Sequence, residues 1–167
     1  MSYDKLFMLG KPCFYLGTMD TSDIDALSRN IPAYHKRCVV RVVRGNKSRT
    51  VGEFFNEISA ALQFPLYFGE NWNAFRDCIT DLDWIDGSAY LLLISNAPLL
   101  LSQADDEDFR VLIRILSEAN EDWIKPNRYI PRNRQATPFH VVFQLLSSDL
   151  STFPERLIQA GGEFDTL

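Results

Sequence analysis

The chain has 167 residues, 46% hydrophobic and 23% charged, with a formal net charge of −5. This is the balance of an ordinary globular protein, large enough to bury a core without metal or disulfide staples. Its negative charge argues against direct nucleic-acid binding, which needs a basic face, and no stretch approaches the roughly 18 apolar residues that cross a bilayer.

The N-terminal MSYDKLFMLG has no basic region followed by a long apolar run, so no signal peptide is expected and the cytoplasm is the expected compartment. Residues 1–37 carry short apolar pieces, LFML and CFYLG, and a weak helical signal over 21–29. They read as an N-terminal extension. Residues 39–43 (VVRVV) are short and β-branched, bounded by Gly45-Asn46, and predict a buried strand. Thr50 with Glu53 forms a capping-box pattern. Behind it Val51, Phe54, Phe55, Ile58 and Leu62 recur at helical spacing, predicting a helix over 51–62. Pro65 ends that run, because the residue before a proline is pushed away from helical angles.

A loop, Leu66-Tyr67-Phe68-Gly69-Glu70, follows, and Asn71 is placed to cap a second helix from Trp72 to about Leu82. Residues 89–95 (AYLLLIS) are nearly all apolar, as in a strand covered on both faces. The run Asp105 to Asp108 favours a helix N-terminus through the macrodipole, with Phe109, Leu112, Ile113 and Leu116 as its apolar stripe. Residues 122–135 hold Lys125, Arg128, Arg132 and Arg134 with prolines and read as a basic loop insertion. Residues 139–145 (FHVVFQL) predict a further strand, and 147–167 form a C-terminal tail. Strand, two helices, strand, helix, strand implies an α/β domain over 38–146, built on a small three-stranded parallel sheet with helical crossovers.

The second helix carries the clearest signal. At about 100° per residue, Ala74, Phe75, Cys78, Ile79 and Leu82 fall together as a core face. Asn73, Arg76, Asp77 and Thr80 fall opposite, with Trp72 at one border and Asp81 at the other. Cys78 is therefore core filler rather than a reactive thiol. The three cysteines, Cys13, Cys38 and Cys78, form no C-x-x-C motif and read as free thiols in a reducing compartment. Around this helix Glu70, Asp77, Asp81, Asp83 and Asp86 are opposed only by Arg76, an acidic segment. Tyr67 and Trp72 edge the polar face; exposed aromatics of this kind anchor protein interfaces, although Trp72 can equally fold back onto the core.

The stretch from Phe64 to Trp84 (FPLYFGENWNAFRDCITDLDW) resembles the signature of the barstar family, with Pro-x-Tyr-aromatic-Gly-Glu-Asn followed by Ala-x-x-Asp-Cys-Ile-Thr. The likeness extends more loosely from about Cys38 to Leu145. The resemblance implies an inhibitor of a ribonuclease-type or other bacterial toxin, free as a monomer, that binds its target one to one and catalyses nothing. Carried over position by position, it points to Tyr67, Asn71, Trp72, Asn73, Arg76, Asp77, Thr80 and Asp81 as toxin-binding, with Glu118 on the later helix at the edge. Asp77 would be the central anion, standing in for an RNA phosphate in a cationic active site. Two positions depart from the family: Asn73 stands where an aspartate is usual, and Arg76 where an aromatic is common. Arg76 would face a cationic target unfavourably, unless it pairs with an acidic group on the toxin or leans on Asp77 or Thr80. These departures point to a toxin that differs from barnase.

An enzyme would need a nucleophile–base pair, a metal cluster or a cofactor loop. The two histidines, His35 and His140, suggest no third partner, and no Cys or His pair has zinc spacing. Gly45-Asn46-Lys47-Ser48 lacks the glycine spacing of a phosphate loop and reads as a turn. No cofactor and no metal are expected. The alternative to an inhibitor is an interaction module of the same fold whose target is not a nuclease.

Overall fold

A computed structural model describes residues 3–126 and 134–167. In chain order the elements are β1 (Phe14–Thr18), α1 (Thr21–Tyr34), β2 (Cys38–Arg44), α2 (Val51–Leu62), α3 (Trp72–Asp81), β3 (Ala89–Ser95), α4 (Asp106–Trp123), β4 (Phe139–Leu145), α5 (Phe153–Gln159) and β5 (Phe164–Thr166). The three predicted strands are present as β2, β3 and β4, but the sheet has five strands rather than three, in the order β2-β3-β4-β1-β5. All neighbours run parallel. The added strands come from the expected N-terminal extension and C-terminal tail. Both are short: β1, at the apolar piece CFYLG, has only five residues and β5 has three, too little for the run or alternation that separates a strand from other short apolar segments.

The central strands are apolar on both faces because helices cover both. On one face Val39, Val43, Leu92, Ile94, Val141 and Phe143 pack against α2, α3, α4 and α5. On the other, Tyr15, Val40, Leu91, Leu93 and Val142 pack against Ile24, Leu27 and Ile31 of α1. No described helix is long and apolar enough to cross a membrane. No cluster of three or more metal-ligating side chains occurs among the described residues.

His140 lies inside β4 on the α1 face, almost fully buried. Its Nε2–H donates to the Met8 carbonyl at 2.9 Å, and its ring meets Tyr15 edge-on with centroids 5.4 Å apart. Since a carbonyl only accepts, the proton sits on Nε2. Nδ1 has no hydrogen-bond partner among the described residues. Burial holds the imidazole below its ordinary pKa, because a charged ring has no water to solvate it.

Local chemistry sets the helices that carry the site. Thr50 and Glu53 close the expected capping box on α2, which ends at Gln63 in the left-handed conformation. The Asn71 Oδ1 accepts from the Ala74 N–H at 2.9 Å, starting α3, while its Nδ2 donates to the Gly69 carbonyl at 3.1 Å. One side chain thus both caps the helix and closes the loop before it. Phe75 and Ile79 then fasten α3 to the core with no exposed surface, each stabilising by about 1.5–3 kcal/mol through burial.

Two outcomes are expected. The unfolded chain takes up a proton at His140 below about pH 6.5 while the folded chain resists it, so stability falls as pH drops through that value. Urea midpoints measured at about pH 7.5 and pH 5 should separate less in His140→Gln than in the native chain; an unchanged separation would exclude His140 as a source. Asn71→Ala should cost about 1 kcal/mol of stability by urea denaturation, with Asn71→Ser recovering most of it.

Candidate functional site

Alternating anchor and tip residues build the loop between α2 and α3. Phe64 and Phe68 turn inward, with ring centroids 4.9 Å apart, and meet Phe75 and Phe55. The Phe68 N–H donates to the Pro65 carbonyl at 2.9 Å, closing a turn whose two central residues are Leu66 and Tyr67. Central turn positions project, and both side chains are exposed, Tyr67 by 72%. Leu66 is the more exposed of the two and is absent from the residues carried over by resemblance. Its place beside a proline at the crest of a turn is the signal that would have found it. Glu70, with φ of 48°, bends the chain into the cap at Asn71.

Trp72 folds back onto the core. Its ring lies 4.9 Å from Phe55 and 5.9 Å from Phe54, and its Nε1–H donates to the Asp108 carboxylate of α4 at 3.1 Å. It is half-buried, so its edge is available to a partner but its body holds α3 in place. Asn71 is engaged at both ends of its amide. Asn73 and Asp77 are exposed, and Thr80 and Asp81 are half-buried. The Thr80 hydroxyl donates to the Arg76 carbonyl at 2.9 Å, so its hydrogen points into the helix. Asn73, Arg76, Asp77 and Thr80 therefore lie on the outward side of α3, with Trp72 turned inward at one border and Asp81 half-buried at the other.

The Arg76 guanidinium pairs with neither Asp77 nor the Thr80 side chain. Its Nη2 lies 3.2 Å from the Glu118 Oε2, bridging α3 to α4. This leaves Asp77 as an exposed carboxylate with no hydrogen bond or ion pair among the described residues. Beneath it Cys78 is buried, as expected of core filler. Burial, with a smaller contribution from the Asp77 charge, pushes its thiol pKa up, the opposite of a reactive cysteine.

The far end of α3 is held by groups that the sequence did not connect to it. The Trp123 Nε1–H of α4 donates to the Ile79 carbonyl at 2.9 Å, and the Arg134 guanidinium stacks 3.8 Å above the Trp123 ring. Arg134 Nη1 donates to the Thr80 carbonyl at 2.7 Å and Nη2 to that of Asp122 at 3.2 Å. A cation at a helix C-terminus complements the macrodipole as well as the open carbonyls. Of the other cations in the basic insertion, Lys125 is exposed at the end of α4. Arg128 and Arg132 lie outside the described residues.

Where β1 and β4 lie side by side, their connections leave toward opposite sheet faces, the usual position of a ligand crevice in a parallel sheet. Here the chain fills it. Only Met19 and Asp20 separate β1 from α1. The Asp20 carboxylate accepts from the Ser22 and Asp23 N–H groups at 2.8 and 3.0 Å, where a phosphate would otherwise sit. Gln144 spans the crevice, donating to the Met19 carbonyl and accepting from the Asn96 N–H, both at 2.7 Å. Gly45-Asn46-Lys47 forms a 3-10 turn.

Comparison with known proteins gives a family and, separately, a likeness of fold. No curated protein matches the chain. The Aeropyrum pernix ORC2 protein, solved as ADPNP–ADP complexes, is similar with a TM-score of 0.54 at 13% identity, over 92% of this chain and 41% of that one. This chain thus spans about two fifths of the length of that protein. Drosophila ORC bound to DNA is similar with a TM-score of 0.47 at 16% identity, over 92% of this chain and 80% of that one. At such identities the likeness concerns the fold alone. The family described as Barstar (barnase inhibitor) matches residues 38–144. That span holds the loop, α3, α4, β2, β3 and all of β4 but its last residue, and the chain belongs to the barstar family.

Proposed function

We propose that this chain is an inhibitor that occludes a ribonuclease-type toxin with the outward face of α3 and the crest of the preceding loop. The observation that carries the reading is the Asp77 carboxylate. It is exposed and has no ion-pair partner among the described residues, while its sequence neighbour Arg76 is engaged by Glu118. A ribonuclease active site is cationic because it holds a phosphodiester, and a carboxylate on a rigid helix substitutes for that phosphate. Tyr67 and Leu66 supply apolar contact beside it, and Asn73, Thr80 and the edge of Trp72 supply the polar surround.

Because Asn71, Trp72 and Arg134 hold the loop and both ends of α3, little backbone freedom is lost on binding, which preserves affinity. Glu70, Asp77, Asp81 and Asp83 place negative charge along and just beyond α3, which speeds encounter with a basic target, while Asp86 is paired with Arg37 at 2.6 Å. The proposed complex is one to one, formed in the cytoplasm by a chain that is monomeric when free. A second reading, the same face against a target that is not a nuclease, is favoured by the neutralised Arg76–Glu118 seam, because part of the face then carries no net charge.

The test is affinity capture with the tagged chain from the cells that produce it, with native and Asp77→Ala proteins compared. A basic nuclease domain should be retained by the native chain, and the substitution should weaken its binding by about 2–5 kcal/mol without loss of fold. Retention of a non-nuclease partner that is indifferent to Asp77 would replace the inhibitor reading with the second one.

A further inference from the structure

The Arg76–Glu118 pair lies within the surface just described, and the following inference rests on that reading. On the α3 wheel, at about 100° per residue, Arg76 sits on the side turned toward α4 and Asp77 on the side turned away. The pair is accessible, with 55% of the Arg76 side chain and 37% of the Glu118 side chain exposed. The outward face is therefore divided. Its Asp77 side carries an unopposed negative charge, and its α3–α4 seam carries a cation and an anion 3.2 Å apart.

The two halves ask for different groups on a partner. A cation placed over the seam meets Glu118 and Arg76 at similar range, so attraction and repulsion nearly cancel while the desolvation cost remains. Arg76 makes this one cross-helix approach to Glu118, whereas a guanidinium offers five donors in a planar fork. The donors left toward solvent suit a carboxylate. The pair itself contributes little to folding, as expected of an exposed ion pair between two helices.

We propose that the Arg76–Glu118 ion pair is a selectivity filter: it admits a protein whose basic cleft covers Asp77 and whose rim over the seam carries a carboxylate, and it opposes one that places a cation there. Arg76 and Glu118 act in opposite senses. Arg76 repels a rim cation and attracts a rim anion, and Glu118 moderates both.

Barnase, a ribonuclease whose substrate demands a cationic site, is the probe. Its inhibition is measured with the full-length native chain, Arg76→Ala, Glu118→Gln and the double variant. Arg76→Ala should tighten inhibition by roughly ten-fold, Glu118→Gln should weaken it comparably, and the double variant should fall between the native chain and Arg76→Ala, because the desolvation cost of the pair is lost with it. Melting temperatures should hold across the set. A merely structural pair would weaken inhibition in both single variants, and that result, or no change in either, overturns the filter. Failure of every variant to inhibit overturns it as well, since the seam would then not be what opposes barnase. Conversely, a partner captured from the producing cells should be lost on Arg76→Ala, and its retention at full affinity counts against a rim carboxylate. Asp77→Asn in the Arg76→Ala background separates the two ideas. Tightening by Arg76→Ala that persists without the Asp77 charge keeps the filter and removes Asp77 from the centre. Dependence on Asp77 with no response at Arg76 does the reverse.

Discussion

The geometry of the proposed binding face depends on how α3 is seated. A layer of rings from Phe54, Phe55, Phe64, Phe68, Trp72 and Phe75 holds its base. Cross-helix bonds hold its two ends: the Trp72 indole to Asp108, and the Trp123 indole with Arg134 to the Ile79 and Thr80 carbonyls. Dispersion fixes the depth of a helix but leaves it free to slide or roll by small amounts. Directional bonds at both ends remove that freedom. The outward residues inherit a fixed spacing, which a surface that recognises charge geometry requires.

Arginine serves twice in this way. Arg134 stacks on Trp123 and bonds the end of α3. Arg156 of α5 stacks 3.8 Å from the Phe109 ring and donates to the Leu100 and Leu101 carbonyls at 2.9 and 3.2 Å. In both places a planar cation covers an aromatic ring while its edge satisfies carbonyls where the backbone leaves regular structure, a combination the lysine ammonium cannot reproduce. A count of basic residues in a proline-containing segment reads Arg134 as part of a solvated loop, because its bond to α3 is made to Thr80, 54 residues away, and a charge count does not announce the stacking on Trp123.

The same contrast explains what was legible beforehand. β2, β3 and β4 stand out because two-sided burial makes continuous apolar runs, and α2 and α3 because their caps and stripes are local. Asn71 as a cap and Cys78 as filler follow from spacing within a single helix. β1 and β5 are hidden because their identity comes from partners at the far end of the chain. The face of α3 was readable on a wheel. The Arg76–Glu118 bridge was not, since it depends on the placement of α3 beside α4, and neither was the inward turn of Trp72, which a wheel puts at a border.

The position of β1 has a consequence for the order of assembly. Phe14 pairs with Val141 on one side and with Phe164 on the other, so the first strand made has both its neighbours among the last segments made. During synthesis its apolar residues wait without a sheet partner, while β2, β3, α2 and α3 can already associate through nearer contacts. Closing so long a loop is slow because its entropy is spent before any pairing compensates it. The half of the sheet beneath α3 is thus able to form early, and the insertion of β1 between β4 and β5 is the late step that completes the sheet.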